Sequence, residues 1–149
     1  MLRKHLLTSI LALFALSACE TKPKQLPLVG TWELISATTT ENDSTFSTFD
    51  ASHKMIKLIN DSHFAFLNHK LNTAKDSSSE FSAGGGKYTL VDSVYTEHLD
   101  YFNDKAWENN KFEFVVKIAN DTLIQKGIEK VDKLGIDHII IEKYKRVTE

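Results

Sequence analysis

The sequence predicts an all-β domain, and within that class an up-and-down antiparallel β-barrel of about eight strands. From about residue 29 onward the chain has no helical hydrophobic stripe of useful length. It has instead many short runs rich in aromatic and β-branched residues, separated by Asn-Asp, Gly or Ser clusters. Most runs follow one another at hairpin spacing, and closing such a meander into a barrel removes the exposed strand edges that it would otherwise carry.

Eight segments have the pattern of strands, and residues 111–118 show it most clearly. Phe112, Phe114 and Val116 share one face of that segment, because side chains alternate along a strand, and charged residues lie on the other face. In chain order the predicted strands are residues 31–37, 55–59, 63–68, 86–90, 93–101, 111–118, 122–128 and 138–147. Residues that suit hairpin turns stand between several of them, at Asn60-Asp61, Val91-Asp92 and Asn120-Asp121.

Two segments do not fit a strand. Residues 38–52 are polar and rich in hydroxyl groups, with Phe46 and Phe49 embedded, so we expect a loop or a short helix over one mouth of the barrel. Residues 71–86 contain three consecutive serines and the run Gly84-Gly85-Gly86, which predicts a mobile connection or an irregular edge.

Residues 1–18 have the layout of a secretory signal peptide. A basic head at Arg3, Lys4 and His5 precedes an apolar segment at residues 6–16. Eleven residues cover only about 16 Å of a bilayer core roughly 30 Å thick, so this segment is too short for a spanning helix. The residues that follow, Leu16-Ser17-Ala18-Cys19, resemble the bacterial lipobox. The resemblance implies cleavage before Cys19, diacylglycerol on its sulfur and an acyl group on its new amino group.

The cysteine count favours lipidation over an ordinary signal peptide that would leave Cys19 free. Cys19 is the only cysteine of the chain, and a lone exposed thiol in an oxidising compartment would invite mispairing. Three acyl chains would make membrane attachment effectively permanent. We therefore predict a protein anchored to a membrane of the bacterial cell envelope through acylated Cys19. The outer membrane is the expected location, and the sequence leaves open which leaflet holds the anchor.

The remaining chain divides into a tether and one domain. Residues 19–28 contain Pro23 and Pro27 and little that could pack, which predicts a flexible tether, and residues 29–149 form the barrel domain. The formal net charge of the chain is −2, and its lysines and arginines do not cluster. This charge pattern argues against a nucleic-acid partner, because phosphate binding needs a concentrated basic surface.

Short motifs in order along the domain carry a family resemblance. Gly30-Thr31-Trp32 opens the first strand and Lys145-Arg146-Val147 ends the last, an arrangement that resembles the lipocalin and fatty-acid-binding superfamily. The chain is more similar to lipocalin-like domains of unknown function in bacterial lipoproteins, in which a Gly-x-Tyr strand precedes Tyr-Thr-Glu. Here these elements are Gly86-Lys87-Tyr88 and Tyr95-Thr96-Glu97, and the resemblance covers residues 29–148.

The resemblance implies a structural role for Trp32 and Arg146. In that superfamily the tryptophan packs across the closed end of the barrel and the arginine lies over its ring, in a cation–π contact. In the alternative role, Arg146 would anchor a ligand carboxylate, as in fatty-acid-binding proteins. Those proteins have Arg-x-Tyr in the last strand, whereas this chain has the reverse order, Tyr144-Lys145-Arg146.

A candidate ligand site follows from alternation in the strand at residues 93–101. Tyr95, Glu97 and Tyr101 fall on one face, and an inward orientation would place phenols and a carboxylate in the interior. We therefore predict binding of a small amphipathic or hydrophobic molecule, with these ligand-binding residues: Tyr88, Tyr95, Glu97, Tyr101 and Tyr144. Glu142 adds a further polar group to that interior. In the alternative, Glu97 pairs with Arg146 or a tyrosine in a filled core.

Catalytic and metal-binding functions have little support in the sequence. Hydrolase, zinc-protease and nucleotide-loop motifs are missing from it. His63 and His69 on one extended strand would lie about 20 Å apart, too far to bind one metal ion. His98 and Asp100 would lie roughly 7 Å apart, so an acid–base pair would need help from another segment. We accordingly expect no enzymatic activity, metal or cofactor.

A protein partner in the cell envelope is the alternative function. An inhibitor or assembly module would use exposed loops, with Phe46 and Phe49 as contacts, and Trp107 in a polar turn is ambiguous in the same way. Asp92-Ser93-Val94 and Asp121-Thr122-Leu123 resemble an O-glycan acceptor of some bacterial periplasms. Both also fall at turns, where Asp-Ser and Asp-Thr are common for backbone reasons.

Overall fold

A computed structural model describes residues 26–71 and 80–148. The predicted signal peptide and Cys19 lie outside these residues, as does most of the predicted tether. The strands of the described part are β1 Gly30–Glu41, β2 Ser44–Ser47, β3 His53–Ile59, β4 His63–Lys70, β5 Phe81–Val91, β6 Val94–Leu99, β7 Tyr101–Phe102, β8 Asn110–Ala119, β9 Thr122–Val131 and β10 Ile136–Arg146. A single 3₁₀ turn, Asp132–Leu134, joins β9 to β10 in this part of the chain. None of its helices is long and apolar enough to cross a membrane.

Eight antiparallel strands close into a barrel, as the sequence predicted. Around the barrel their order is β1, β3, β4, β5, β6, β8, β9 and β10. β10 returns to pair with β1, from Trp32 opposite Arg146 to Thr40 opposite Ile139. A bulge between Leu34 and Ser36 shifts this register. The two remaining strands, β2 and β7, are short additions that pair with β1 and β5.

The predicted loop or helix at residues 38–52 is wrong in its first half. β1 continues to Glu41, and β2 folds back on it with Thr38 opposite Ser47. Asn42 and Asp43 form the turn with φ of 47° and 61°, a left-handed conformation that Asn and Asp tolerate. The polarity of the threonines predicts a loop, but their β-branched side chains also favour a strand, and Thr39 is buried in β1.

The predicted irregular segment at residues 71–86 is wrong in its second half, and residues 72–79 lie outside the described part. β5 begins at Phe81, so the glycine run is inside a strand. A Cβ atom at Gly84 would come within 2.6 Å of the Phe66 ring, and one at Gly86 would collide with the carbonyl oxygen of His98. Glycine is therefore required here because neighbouring groups approach the backbone closely.

Trp32 and Arg146 lie together at one end of the barrel. The Arg146 guanidinium stands 4.0 Å from the centroid of the buried Trp32 ring and donates to the carbonyl oxygens of Val29 and Pro27, at 2.9 and 2.5 Å. The Trp32 Nε1–H donates to the carbonyl oxygen of Leu28 at 2.8 Å, and the Leu28 side chain is buried. The last residues of the predicted tether thus pack against this end of the barrel.

Candidate functional site

A buried lysine lies at the centre of the polar interior. Lys57 points inward because it shares one face of β3 with Met55 and Ile59, and it is only 2% exposed. Its Nζ donates to Glu97 Oε1 at 2.8 Å and to Gln125 Oε1 at 3.0 Å. Charged groups are buried in proteins only with such partners, so these three side chains form one unit.

The carboxylates around Lys57 keep it charged. Burial by itself lowers the pKa of Lys57, but the carboxylates of Glu97 and Glu142 outweigh this effect and raise the pKa above its ordinary value. The Lys57 Nζ also lies 5.1 Å from the centroid of the Tyr144 ring. Cation–π attraction and ion pairing therefore act on the same ammonium group.

Tyr95, Glu97 and Tyr144 lie inside the barrel near Lys57. Burial, followed by the neighbouring carboxylate, raises the pKa of both phenols: Glu97 acts on Tyr95 and Glu142 on Tyr144. Both hydroxyls are therefore protonated donors. The Tyr144 hydroxyl donates to Glu142 Oε2 at 2.6 Å, whereas the buried Tyr95 hydroxyl has no hydrogen-bond partner within the described residues.

The other two predicted ligand residues lie elsewhere. Tyr88 packs on the Tyr95 ring at a centroid distance of 5.2 Å, and its hydroxyl donates to the carbonyl oxygen of Asn60, away from the polar interior. Tyr101 is 70% exposed, so the prediction that it faces inward is wrong. The cause is a break at Asp100, whose N–H donates to the Gly85 carbonyl. β6 ends before this residue and β7 begins after it, so the alternation does not continue.

The contacts of Arg146 lie at one end of the barrel and do not include Glu97. Its guanidinium contacts Trp32 and donates to backbone carbonyl oxygens at one end of the barrel. Glu97 is paired with Lys57, and not with Arg146.

An aromatic cavity of about 380 Å³ lies beside Glu97. Its apolar wall comprises Phe66, Leu99, Phe102, Trp107 and Phe112. The rings form a continuous surface, with centroid distances of 5.5 Å from Phe66 to Phe102, 6.3 Å from Phe102 to Trp107 and 6.1 Å from Trp107 to Phe112. Trp107, which was ambiguous in the sequence, is thus a cavity residue.

Three carboxylates complete the aromatic cavity: Glu97, Asp104 and Glu129. The Glu129 carboxylate accepts a hydrogen bond from His138 Nε2 at 3.0 Å, and the two residues stand opposite each other on β9 and β10. Burial raises the pKa of Glu129, His138 opposes this rise, and Glu142 and Glu97 add to it. The carboxylates of Glu97 and Glu142 are therefore close enough to Glu129 to repel it.

A second cavity of about 310 Å³, the polar cavity, is lined by residues of β1, β3, β4 and β10 and of the turn before β3. Phe49, His53, Asn68 and Glu142 contribute to it, and Asn68 Oδ1 is buried with no hydrogen-bond partner in the described residues. Three or more metal-ligating side chains come together nowhere in residues 26–71 and 80–148.

Sequence reasoning missed Lys57, Gln125 and Glu129. Lys57 stands at an inward position of a predicted strand, between Met55 and Ile59, and that pattern could have identified it. Gln125 stands two residues after Leu123 in the same way. Glu129 lies one residue beyond the predicted end of its strand, and extending the alternation would have included it.

Comparison with known families identifies the family of the chain but names no ligand. The family model described as Domain of unknown function (DUF4488) matches residues 27–149. A search of curated proteins found no match to the chain.

Proposed function

The chain belongs to the family Domain of unknown function (DUF4488), and we propose that this member binds a small amphipathic molecule in the aromatic cavity of its barrel. One observation carries the proposal: an aromatic wall stands next to a buried carboxylate in a cavity of about 380 Å³. Ligand sites commonly have this composition, with apolar walls for most of the surface and a few polar groups that orient the ligand. The volume also falls in the usual range of such sites, about 300–1,000 Å³.

The interior is not packed solid with its own side chains. Lys57, Glu97 and Gln125 satisfy one another deep in the barrel, while Glu97 also lines the aromatic cavity. An amphipathic molecule would place its apolar part against Phe102 and Trp107 and its polar part toward Glu97. This arrangement supports binding over the filled core that was the alternative in the sequence.

Filling the cavity tests the proposal. Leu99→Trp places a large ring in the aromatic cavity, and Val115→Trp adds the same bulk at an exposed position of β8. We expect native mass spectrometry of wild type and V115W, purified from the source membrane, to show the same bound small molecule and L99W to have lost it. Circular dichroism checks that both variants keep the β fold. Equal retention by L99W would contradict the proposed site.

We also propose that the barrel is held at a membrane of the cell envelope by acylated Cys19. The support is the sequence Leu16-Ser17-Ala18-Cys19 after a basic and apolar segment. An anchored barrel would keep an amphipathic ligand close to the membrane surface from which such molecules partition.

Contact with an envelope protein is a second candidate, and β2 favours it. Within the described residues β2 pairs only with β1, so its other edge is open, and Phe46 on this strand is 48% exposed. Crosslinking in the native envelope from a photoreactive residue at position 46 would capture such a partner. The same photoreactive residue at position 115, an exposed position of β8, is the control.

A further inference from the structure

The charges of the aromatic cavity identify the class of its ligand. We propose that the aromatic cavity is a site for an amphipathic cation, an alkyl- or arylammonium group joined to an apolar body, which it holds between aromatic rings and carboxylates. This inference rests on the proposed function and specifies the polar end of the ligand.

The first argument is the sign of the lining. The charged residues that line the cavity, Glu97, Asp104 and Glu129, are all acidic, and no lysine, arginine or histidine belongs to the lining that the structure describes. A carboxylate or phosphate ligand would meet like charges at every polar position. Arg146, the residue that could hold an anion, is engaged at one end of the barrel.

The second argument is the unused capacity of these carboxylates. Lys57 occupies Glu97 Oε1 and His138 contacts Glu129 Oε2, and each carboxylate keeps further acceptor positions beyond these contacts. A carboxylate has about four acceptor positions. An ammonium group between Glu97 and Glu129 would therefore gain charge-assisted hydrogen bonds or ionic contact without displacing Lys57.

The third argument is the aromatic wall. Ammonium groups are attracted to the faces of Trp and Phe rings within about 6 Å of the ring centroid, and the attraction is stronger where water is excluded. Trp107 and its neighbouring phenylalanines supply such faces on the same cavity as the carboxylates. A neutral ligand would use the wall but gain no ionic contact with the carboxylates, so a cation fits both halves of the site.

The fourth argument is the mutual repulsion inside the barrel. Glu97 and Glu142 both raise the pKa of Glu129, after the larger effect of burial. Three carboxylates, those of Glu97, Glu142 and Glu129, act on the single ammonium group of Lys57 and raise its pKa. A bound cation would relieve this repulsion, which gives binding a favourable electrostatic contribution.

Three probes of equal chain length test the inference: octyltrimethylammonium, octanol and octanoate. The trimethylammonium group stays charged at every pH, so the protonation of the probe is not a variable. We expect isothermal titration calorimetry of the full chain to show the cation binding at least about tenfold more tightly than octanol, the effect of one desolvated cation–π or ionic contact. Octanoate should bind most weakly of the three.

Matched variants locate the effect. Glu129→Gln should lower the affinity for octyltrimethylammonium at least about fivefold and leave that for octanol unchanged, because only the cation gains from the charge. Glu113→Gln removes an equal charge from the outer face of β8 and should change neither affinity. Should E129Q fail to fold, Asp104→Asn in the connection between β7 and β8 provides the same comparison.

The outcomes separate this inference from the proposed function. Equal or tighter binding of octanol or octanoate would overturn the cationic class and leave the proposed amphipathic site intact. Binding of none of the three probes would contradict the proposed site itself. Preference for the cation in wild type and E113Q, reduced in E129Q, supports both.

Discussion

Removal of the Lys57 charge should lower the unfolding free energy of the barrel. Lys57→Met would leave Glu97 buried without its counter-charge, and breaking one side of a buried pair costs roughly 3–5 kcal/mol of unfolding free energy. Urea denaturation measures this loss. Lys54→Met is the matched control, because Lys54 pairs with Glu33 on the exposed face of the same strand at 3.1 Å. Such a surface pair is worth below about 1 kcal/mol, and equal losses in both variants would contradict a buried ion pair.

Asp50 provides a pH prediction at the same scale. Hydrogen bonds from Ser52, and then the contact with His53, lower the pKa of the Asp50 carboxyl from 3.8 to about 2. A lowered folded-state pKa stabilises the fold above the ordinary value, and this stabilisation disappears as the pH falls toward 2. An NMR titration should give a pKa of about 2 in wild type and a higher value in Ser52→Ala. Ser62→Ala, in the turn before β4, should leave the pKa of Asp50 unchanged.

At the scale of elements, the glycine run of β5 allows the backbone at the end of β6 to approach closely. Gly86 faces the His98 carbonyl oxygen so closely that a Cβ atom there forces a backbone shift. We expect Gly86→Ala to cost about 1–3 kcal/mol, as overpacking does, and to shift the NMR signals of Asp100 and its neighbours. Gly135→Ala is the comparison. Its Cβ would meet no atom within 4 Å, so only its positive φ of 66° opposes the change and the signals of Asp100 should stay in place.

The same elements show how far sequence periodicity reaches. The strands at residues 111–118 and 122–128 were predicted within a few residues of β8 and β9, because their alternation is strong and Asn120-Asp121 is a clear turn. β7 could not be predicted, because it exists only through pairing with Gly84 and Gly85 across the sheet. β2 was missed because its residues are polar, and the pairing with β1 outweighs that composition.

At the scale of the whole molecule, the proposed attachment to the membrane depends on Cys19. Cys19→Ser should shift the protein from the detergent phase to the aqueous phase of a cloud-point partition, because the acyl chains would be lost. Mass spectrometry of the N-terminal peptide of wild type should show the added acyl mass on Cys19. Ser17→Ala keeps a small residue in the same motif and should partition like wild type. An unmodified Cys19 in wild type would contradict the anchor.

The sequence by itself determined the fold class, the approximate strands and the face on which most side chains lie. Trp32, Tyr95 and Tyr144 were assigned to the interior from a period of two and a family resemblance, and all three are buried. The same period predicted that Tyr101 faces inward, but the break at Asp100 interrupts the strand and Tyr101 is exposed. Local alternation holds only as long as the strand itself continues.

Only the tertiary structure decided which inward side chains meet. Lys57 and Glu97 stand 40 positions apart in the chain, and Lys57 and Gln125 stand 68 apart, yet all three form one hydrogen-bonded unit. A period of two specifies the face of a strand, whereas the stagger between strands and the closure of β10 on β1 set the height of each side chain in the barrel. The carboxylates and rings of the aromatic cavity come together for this reason, and no stretch of sequence contains them all.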